Sequence, residues 1–190
     1  QVYWLKVYEV PQGSRVSKGK PIINLFPIMP GEKINAILAV KDFVEDQYIF
    51  MATSKGTVKK TPLSDFSNPR KSGIIAIKLD NGDFLIGASV TNGSNDIVLV
   101  SNGGKAVWFD ETAVRSMGRN ARGVRGMKLP DNQQVLSLLV AFSESESVLV
   151  ATENGYGKRT QLSEFRRSSR GTQGVKAIQV SDRNGIVVAA

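Results

Sequence analysis

Short apolar runs recur along this chain. Each is followed by a polar turn containing glycine and then by a second run of strand character. Tyr48-Ile-Phe-Met-Ala-Thr-Ser-Lys-Gly56-Thr-Val-Lys-Lys-Thr61, Ile97-Val-Leu-Val-Ser-Asn-Gly-Gly104-Lys-Ala-Val-Trp-Phe109 and Val148-Leu-Val-Ala-Thr-Glu-Asn-Gly155-Tyr-Gly-Lys-Arg-Thr160 align, with turn glycines 48 and 51 residues apart. A period near fifty marks a propeller, a solenoid or another repeat array. The runs are too brief for helices, and Asn102-Gly103-Gly104 and Asn154-Gly155 are hairpin signals, because these residues tolerate positive φ. Ile97-Val-Leu-Val100 and Val148-Leu-Val-Ala151 do not alternate between apolar and polar, so both faces of these strands are expected to be covered. Four-stranded sheets stacked like blades meet that condition, and fifty residues suffice for one blade. A β-helix is the second choice; its repeat is normally shorter.

The pattern continues beyond the hairpin. A short polar stretch follows (Pro62–Phe66, Glu111–Val114, Gln161–Phe165), then a basic loop with glycine, then a further apolar segment at 74–79, 124–129 and 175–180. Gly19, Gly73, Gly123 and Gly174 mark the loop in four units, 54, 50 and 51 residues apart. The fold expected is all-β, a propeller-like array of about four antiparallel blades. Its repeats run approximately over 1–46 (partial), 47–94, 95–145 and 146–190. The first unit begins only at its second strand, Val2–Lys6, which reads as part of a longer array. Trp4 and Trp108 occupy equivalent places in the repeat, and Trp108 and Tyr156 are expected to be packing residues.

Composition narrows the chemistry. With no cysteine and no histidine, disulfides, thiolate metal sites and the commonest general base are all excluded. Gly118–Gly126 lacks the strand–loop–helix setting of a nucleotide-phosphate motif. Ser143–Glu146, Asp80 and Asp83 read as solvated or turn-forming residues. No apolar run reaches membrane-span length.

Charge is unevenly placed. The net charge is +8, and the four glycine loops (14–20, 67–73, 115–128, 166–176) hold 14 of 25 basic residues and none of 17 acidic ones within 39 positions. Acidic residues gather instead near 41–46, 80–83 and 143–146. Equivalent loops of an array project from the same edge, so one basic and one acidic edge are expected. A periodic cationic track suits the evenly spaced phosphates of duplex DNA. The loop glycines are expected to let the backbone approach a phosphate. The DNA-binding residues read from this pattern are Arg15, Lys18, Lys20, Lys59, Lys60, Arg70, Lys71, Arg115, Arg119, Arg122, Arg125, Lys158, Arg159, Arg166, Arg167, Arg170 and Lys176. The rival class is a protein-interaction propeller using a disc face or the acidic edge.

Phe50–Thr61, Ala151–Thr160 and Ala121-Arg-Gly-Val-Arg-Gly126, together with the spacing, resemble the C-terminal domain of the bacterial DNA gyrase A protein over essentially the whole chain. The corresponding domain of topoisomerase IV is a poorer match. The resemblance implies a β-pinwheel whose blades exchange strands, and duplex DNA wrapped on its basic rim in support of negative supercoiling. It further implies the remainder of the gyrase A protein and the gyrase B protein as partners, a cytoplasmic, nucleoid-associated setting and no membrane. No cofactor is expected in this chain; ATP hydrolysis, with Mg, and DNA cleavage belong elsewhere in the holoenzyme. The family's Gln-Arg-Arg-Gly-Gly-x-Gly heptad has no intact copy here. Arg15–Gly19, Arg70–Gly73, Arg119–Gly123 and Arg170–Gly174 resemble degenerate versions of it.

Overall fold

The computed structural model describes residues 1–190. It contains no α-helix, and none of its helical turns is long and apolar enough to cross a membrane. Eleven strands run in chain order: β1 (Tyr48–Thr53), β2 (Thr57–Pro62), β3 (Leu85–Thr91), β4 (Asp96–Ser101), β5 (Lys105–Asp110), β6 (Val124–Arg125), β7 (Val135–Ala141), β8 (Ser147–Thr152), β9 (Gly157–Gln161), β10 (Val175–Lys176) and β11 (Val187–Ala189). They form two four-stranded sheets, ordered β3-β1-β2-β6 and β10-β5-β4-β7, and a three-stranded sheet ordered β11-β8-β9. All strand pairs are antiparallel.

Each sheet is built on one of the predicted hairpins. In the first, Ala52 pairs with Val58 and Gly56 N–H donates to Thr53 C=O at 3.0 Å. The three-residue loop ends in glycine at φ 79°, the left-handed position such hairpins require. Gly104 and Gly155 close the same turn in the next two units.

The outermost strand of each four-stranded sheet comes from the following unit. β6, just after Gly123, pairs with β2, and β10, just after Gly174, pairs with β5. Val2 and Ile74 repeat this exchange as a single bridge. The glycine periodicity follows from that packing. A Cβ on Gly123 would lie 2.5 Å from Val58 O, and one on Gly174 would lie 2.2 Å from Ala106 O. At Gly123 and Gly174 the missing Cβ therefore admits a neighbouring strand.

Sheet stacking explains the apolar runs. On β1, Ile49 and Met51 face one core, while Phe50 and Ala52 face another. On β4, Ile97 and Leu99 join the core shared with β1, while Val98 and Val100 join the core shared with β8. Burial of each of these side chains larger than alanine contributes about 1.5–3 kcal/mol. β8 departs from the expected two-sided burial: Val148 and Val150 are buried, but Leu149 is 61% exposed. Leu149 lies on the face of the third sheet that no other sheet of this chain covers.

The first unit does not form the expected sheet. Residues 1–46 contain two 3-10 turns, Val7–Glu9 and Ile22–Asn24, and one bridging residue, Val2. Their order comes from local contacts: Tyr3 stacks on Phe26 at 5.2 Å and donates its hydroxyl to Glu32 Oε2 at 3.0 Å. Trp4 is half-buried against the first core, whereas its equivalent Trp108 is only 4% exposed. A strand without a hairpin partner leaves its backbone donors unpaired and is not stable alone.

Candidate nucleic-acid interface

Strand exchange joins the basic loops of the last three units into one strip. Lys78 N–H donates to Ala121 C=O at 3.3 Å, which links the segment following the second loop to the third. Gly171 N–H donates to Gly126 C=O at 2.6 Å and Lys128 N–H to Thr172 C=O at 2.8 Å, which links the third to the fourth. The first loop, with Arg15, Lys18 and Lys20, is exposed, and no hydrogen bond or ion pair ties it to the other three.

The structure divides the seventeen nominated cations by environment. Arg70, Lys71, Arg115, Arg119, Arg125 and Arg166 line the strip, and their side chains carry no hydrogen bond or ion pair. Lys158 and Arg159 are exposed on β9, the edge of the third sheet. Lys176 is exposed on β10, with Nζ 2.8 Å from Gln179 Oε1. It pairs in register with Lys105, a cation the sequence reading missed although it directly follows a turn glycine. Lys128, also exposed, adds to the strip.

Three of the arginines face protein groups. Arg122 pairs with Asp80, its Nε donating to Oδ2 at 2.9 Å. Arg167 sits over the Trp108 ring at 5.6 Å and pairs with Asp96 and Asp110, the latter at 3.2 Å. Arg170 donates to the backbone carbonyls of Ala113 and Arg125. Basic and acidic residues are thus less segregated than the sequence suggested. Asp80, Asp96 and Asp110 lie outside the loops in sequence but reach two of the loop arginines in space. Burial would raise the Asp110 carboxyl, but hydrogen bonds from Thr112 and the nearby Arg167 and Lys60 cations hold it below the usual carboxylate range.

Lys59 and Lys60 are removed from the interface altogether. Both lie on β2 beneath the third loop, 0% and 6% exposed. Lys59 Nζ donates to Ala76 C=O at 2.5 Å and to Arg119 C=O. Lys60 Nζ donates to Glu111 C=O at 3.2 Å, lies 3.9 Å from Glu111 Oε2 and covers the Tyr48 ring at 5.0 Å. Their equivalents Lys158 and Arg159 are exposed, with no loop packed over β9. Exposure of this lysine pair is decided by the neighbouring unit, which no single repeat can reveal.

Burial pushes the Lys59 ammonium down to about 8; Asp65 partly opposes the shift and Arg119 adds to it. Its folded-state pKa is therefore depressed below the unfolded value. Below pH 8 lysine is charged in both states and the full cost of burying the charge applies; that cost fades as pH rises from 8 toward 10.5. Relative to Lys59→Met, the wild-type protein is expected to gain stability across this window in urea titrations. A constant difference would remove the burial account.

A groove of about 690 Å³ opens between β5 and the fourth loop, lined by Arg166, Arg167, Ser168, Ser169, Thr172 and Gln173 among others. Hydroxyl, amide and guanidinium donors are the groups that bind phosphate oxygens without reading base identity.

The fold and this strip define a class: a propeller-type repeat domain with exchanged strands and a cationic rim. The family model described as DNA gyrase C-terminal domain, beta-propeller, matches residues 1–41, 47–92, 95–141 and 146–190, and the chain belongs to that family. The DNA gyrase A protein of Salmonella typhimurium is 51% identical over 190 residues, and that of Escherichia coli 48%; each alignment covers 100% of this chain and 22% of the relative. The chain thus spans about a fifth of the length of these relatives. A crystal structure of the C-terminal domain of DNA topoisomerase IV superposes with a TM-score of 0.83 at 34% identity, covering 90% of this chain and 55% of that one. A DNA gyrase A C-terminal domain superposes with a TM-score of 0.77 at 30% identity, covering 90% and 57%.

Proposed function

We propose that the rim binds duplex DNA through its phosphates, without base preference, and bends it around the domain. The observation that carries this reading is the run of Arg70, Lys71, Arg115, Arg119, Arg125 and Arg166 along one hydrogen-bonded strip, none with a protein partner for its side chain. Membership of the gyrase family supports placing this activity within a gyrase A protein. There the wrapped segment serves ATP-dependent negative supercoiling, together with the rest of the A protein and with the gyrase B protein, in the bacterial cytoplasm. This chain contributes binding and no bond-making chemistry, and needs no cofactor of its own. The sequence relatives favour gyrase over topoisomerase IV, although the superposition on the topoisomerase IV domain is the tighter of the two.

Counterion release supplies the test. Each phosphate neutralised contributes about −0.9 to the slope of log affinity against log salt, and six contacts cost about 10³ in affinity between 50 and 200 mM salt. Duplex binding of the intact protein is expected to follow that slope for unrelated sequences alike. Replacing Arg115, Arg119 and Arg125 together by alanine is expected to flatten the slope by about 2.7. A salt-independent affinity, or a loss confined to one sequence, would remove the electrostatic account.

A further inference from the structure

The segment 113–126, most of the third rim loop with the two residues before it, carries four arginines: Arg115, Arg119, Arg122 and Arg125. Its internal hydrogen bonding is sparse, with Ala121 N–H to Gly118 C=O at 3.1 Å as the one backbone bond within it. All other bonds to its middle and end run to neighbouring units. Met117 N–H donates to Lys60 C=O at 2.8 Å, Ala121 C=O accepts from Lys78, and Gly126 N–H donates to Gly56 C=O at 2.8 Å. The loop therefore has no scaffold of its own.

Two buried or half-buried cations act on its carbonyls. One guanidinium, that of Arg170 in the following unit, bridges the two ends of the loop: Nε donates to Ala113 C=O at 2.9 Å and Nη1 to Arg125 C=O at 3.0 Å. The Lys59 ammonium, from the preceding unit, grips the middle at Arg119 C=O and ties it to Ala76 C=O. A planar fork can hold two carbonyls in fixed relation, which a single point donor of the same charge does less well. Left without a partner, the enclosed carbonyls of Ala76 and Arg119 would be destabilising, whereas those of Ala113 and Arg125 lie at the surface and lose a fixed charged donor.

We propose that Lys59 and Arg170 are positioning residues. They hold the backbone of the arginine loop from both sides and do not themselves contact phosphate. DNA binding at the third unit then depends on side chains of the second and fourth. This inference rests on the DNA-binding reading for its consequence, but its structural content can be measured without DNA.

The experiment is amide hydrogen exchange on the intact protein, free of DNA, followed by duplex binding. Arg170→Ala is expected to speed exchange at Met117 and Ala121 roughly tenfold or more, the factor that loss of one charged hydrogen bond converts to. Exchange within β4 should stay unchanged, and duplex binding should weaken. Arg170→Lys keeps the charge without the fork and is expected to loosen the same two amides. It serves as the test if the alanine variant fails to fold. Lys59→Met is expected to act at Ala121 in the same way. Arg166→Ala, which removes an unpartnered rim arginine, should weaken duplex binding and leave exchange at the wild-type rate.

Wild-type exchange at Met117 and Ala121 in the Arg170 variants would overturn the proposal. So would wild-type duplex affinity in Arg170→Lys alongside a weakened Arg170→Ala, since charge alone would then matter and Arg170 would be a phosphate ligand. If Arg166→Ala and the triple arginine variant both bind duplex normally, the DNA reading fails; the exchange data would still decide the positioning role.

Discussion

Glu111→Ala is expected to destabilise the domain by about 3–5 kcal/mol, the range for breaking a buried ion pair from one side. Glu111 is fully buried. Its Oε2 accepts from Thr91 Oγ1 at 2.7 Å and its Oε1 from Asn95 N–H at 2.8 Å, while the Lys60 ammonium of the preceding unit lies 3.9 Å away. Alanine leaves the Thr91 hydroxyl and the Asn95 N–H without an acceptor and removes the counter-charge of a cation only 6% exposed, which keeps only its hydrogen bond to the Glu111 backbone carbonyl. The equivalent positions in the flanking units hold Leu63 and Leu162, each 1% exposed. The site therefore accepts an apolar side chain provided the charge opposite is also removed. Glu111→Leu combined with Lys60→Met is expected to recover most of the loss, because a well-packed apolar pair often matches a buried ion pair. Urea denaturation of the two single variants and the double variant measures the coupling. A single-variant loss below about 1 kcal/mol, or additive effects in the double variant, would mean that the network carries little of the contact between units.

The second large effect is expected at Gly174. Its φ of 76° is left-handed, and a Cβ there would lie 2.2 Å from Ala106 O. Alanine adds a backbone cost of about 1–2 kcal/mol to an overlap with a backbone carbonyl that cannot rotate away, a further cost of about 1–3 kcal/mol. Relief requires β10 to leave β5. That movement would also disturb the bonds from Ala177 and Ile178 N–H to Gly104 C=O and shift the fourth rim loop. Gly155→Ala is the matched comparison: φ is 81°, yet nothing lies within 4 Å of the added carbon. Only the backbone cost is expected there. Thermal or urea unfolding of both variants separates the two contributions. Equal losses would sink the claim that the spaced glycines exist to admit an exchanged strand.

Both predictions concern contacts between units, and that is where sequence and structure diverge. The chain by itself determined the period, the hairpins and the all-β class. These features are local: a glycine at the third loop position, a β-branched run on either side and a repeat near fifty residues can be read without knowing what lies next to them. The concentration of basic residues in the glycine loops was legible for the same reason, and the third and fourth of these loops hydrogen-bond to each other.

Tertiary structure decided which cations remain available. Lys59 and Lys60 match Lys158 and Arg159 in sequence, yet the first pair is sealed by the next unit's loop and the second is in solvent. Arg122, Arg167 and Arg170 resemble their neighbours in composition but face carboxylates or carbonyls contributed from elsewhere in the fold. Glu111 lies in one of the short polar stretches, and the exchanged packing encloses it. Burial is a property of the neighbour that covers a side chain, and in an array each neighbour is a different unit some fifty residues away. Periodicity could say where the loops recur; only the packed sheets could say which of their charges still face water.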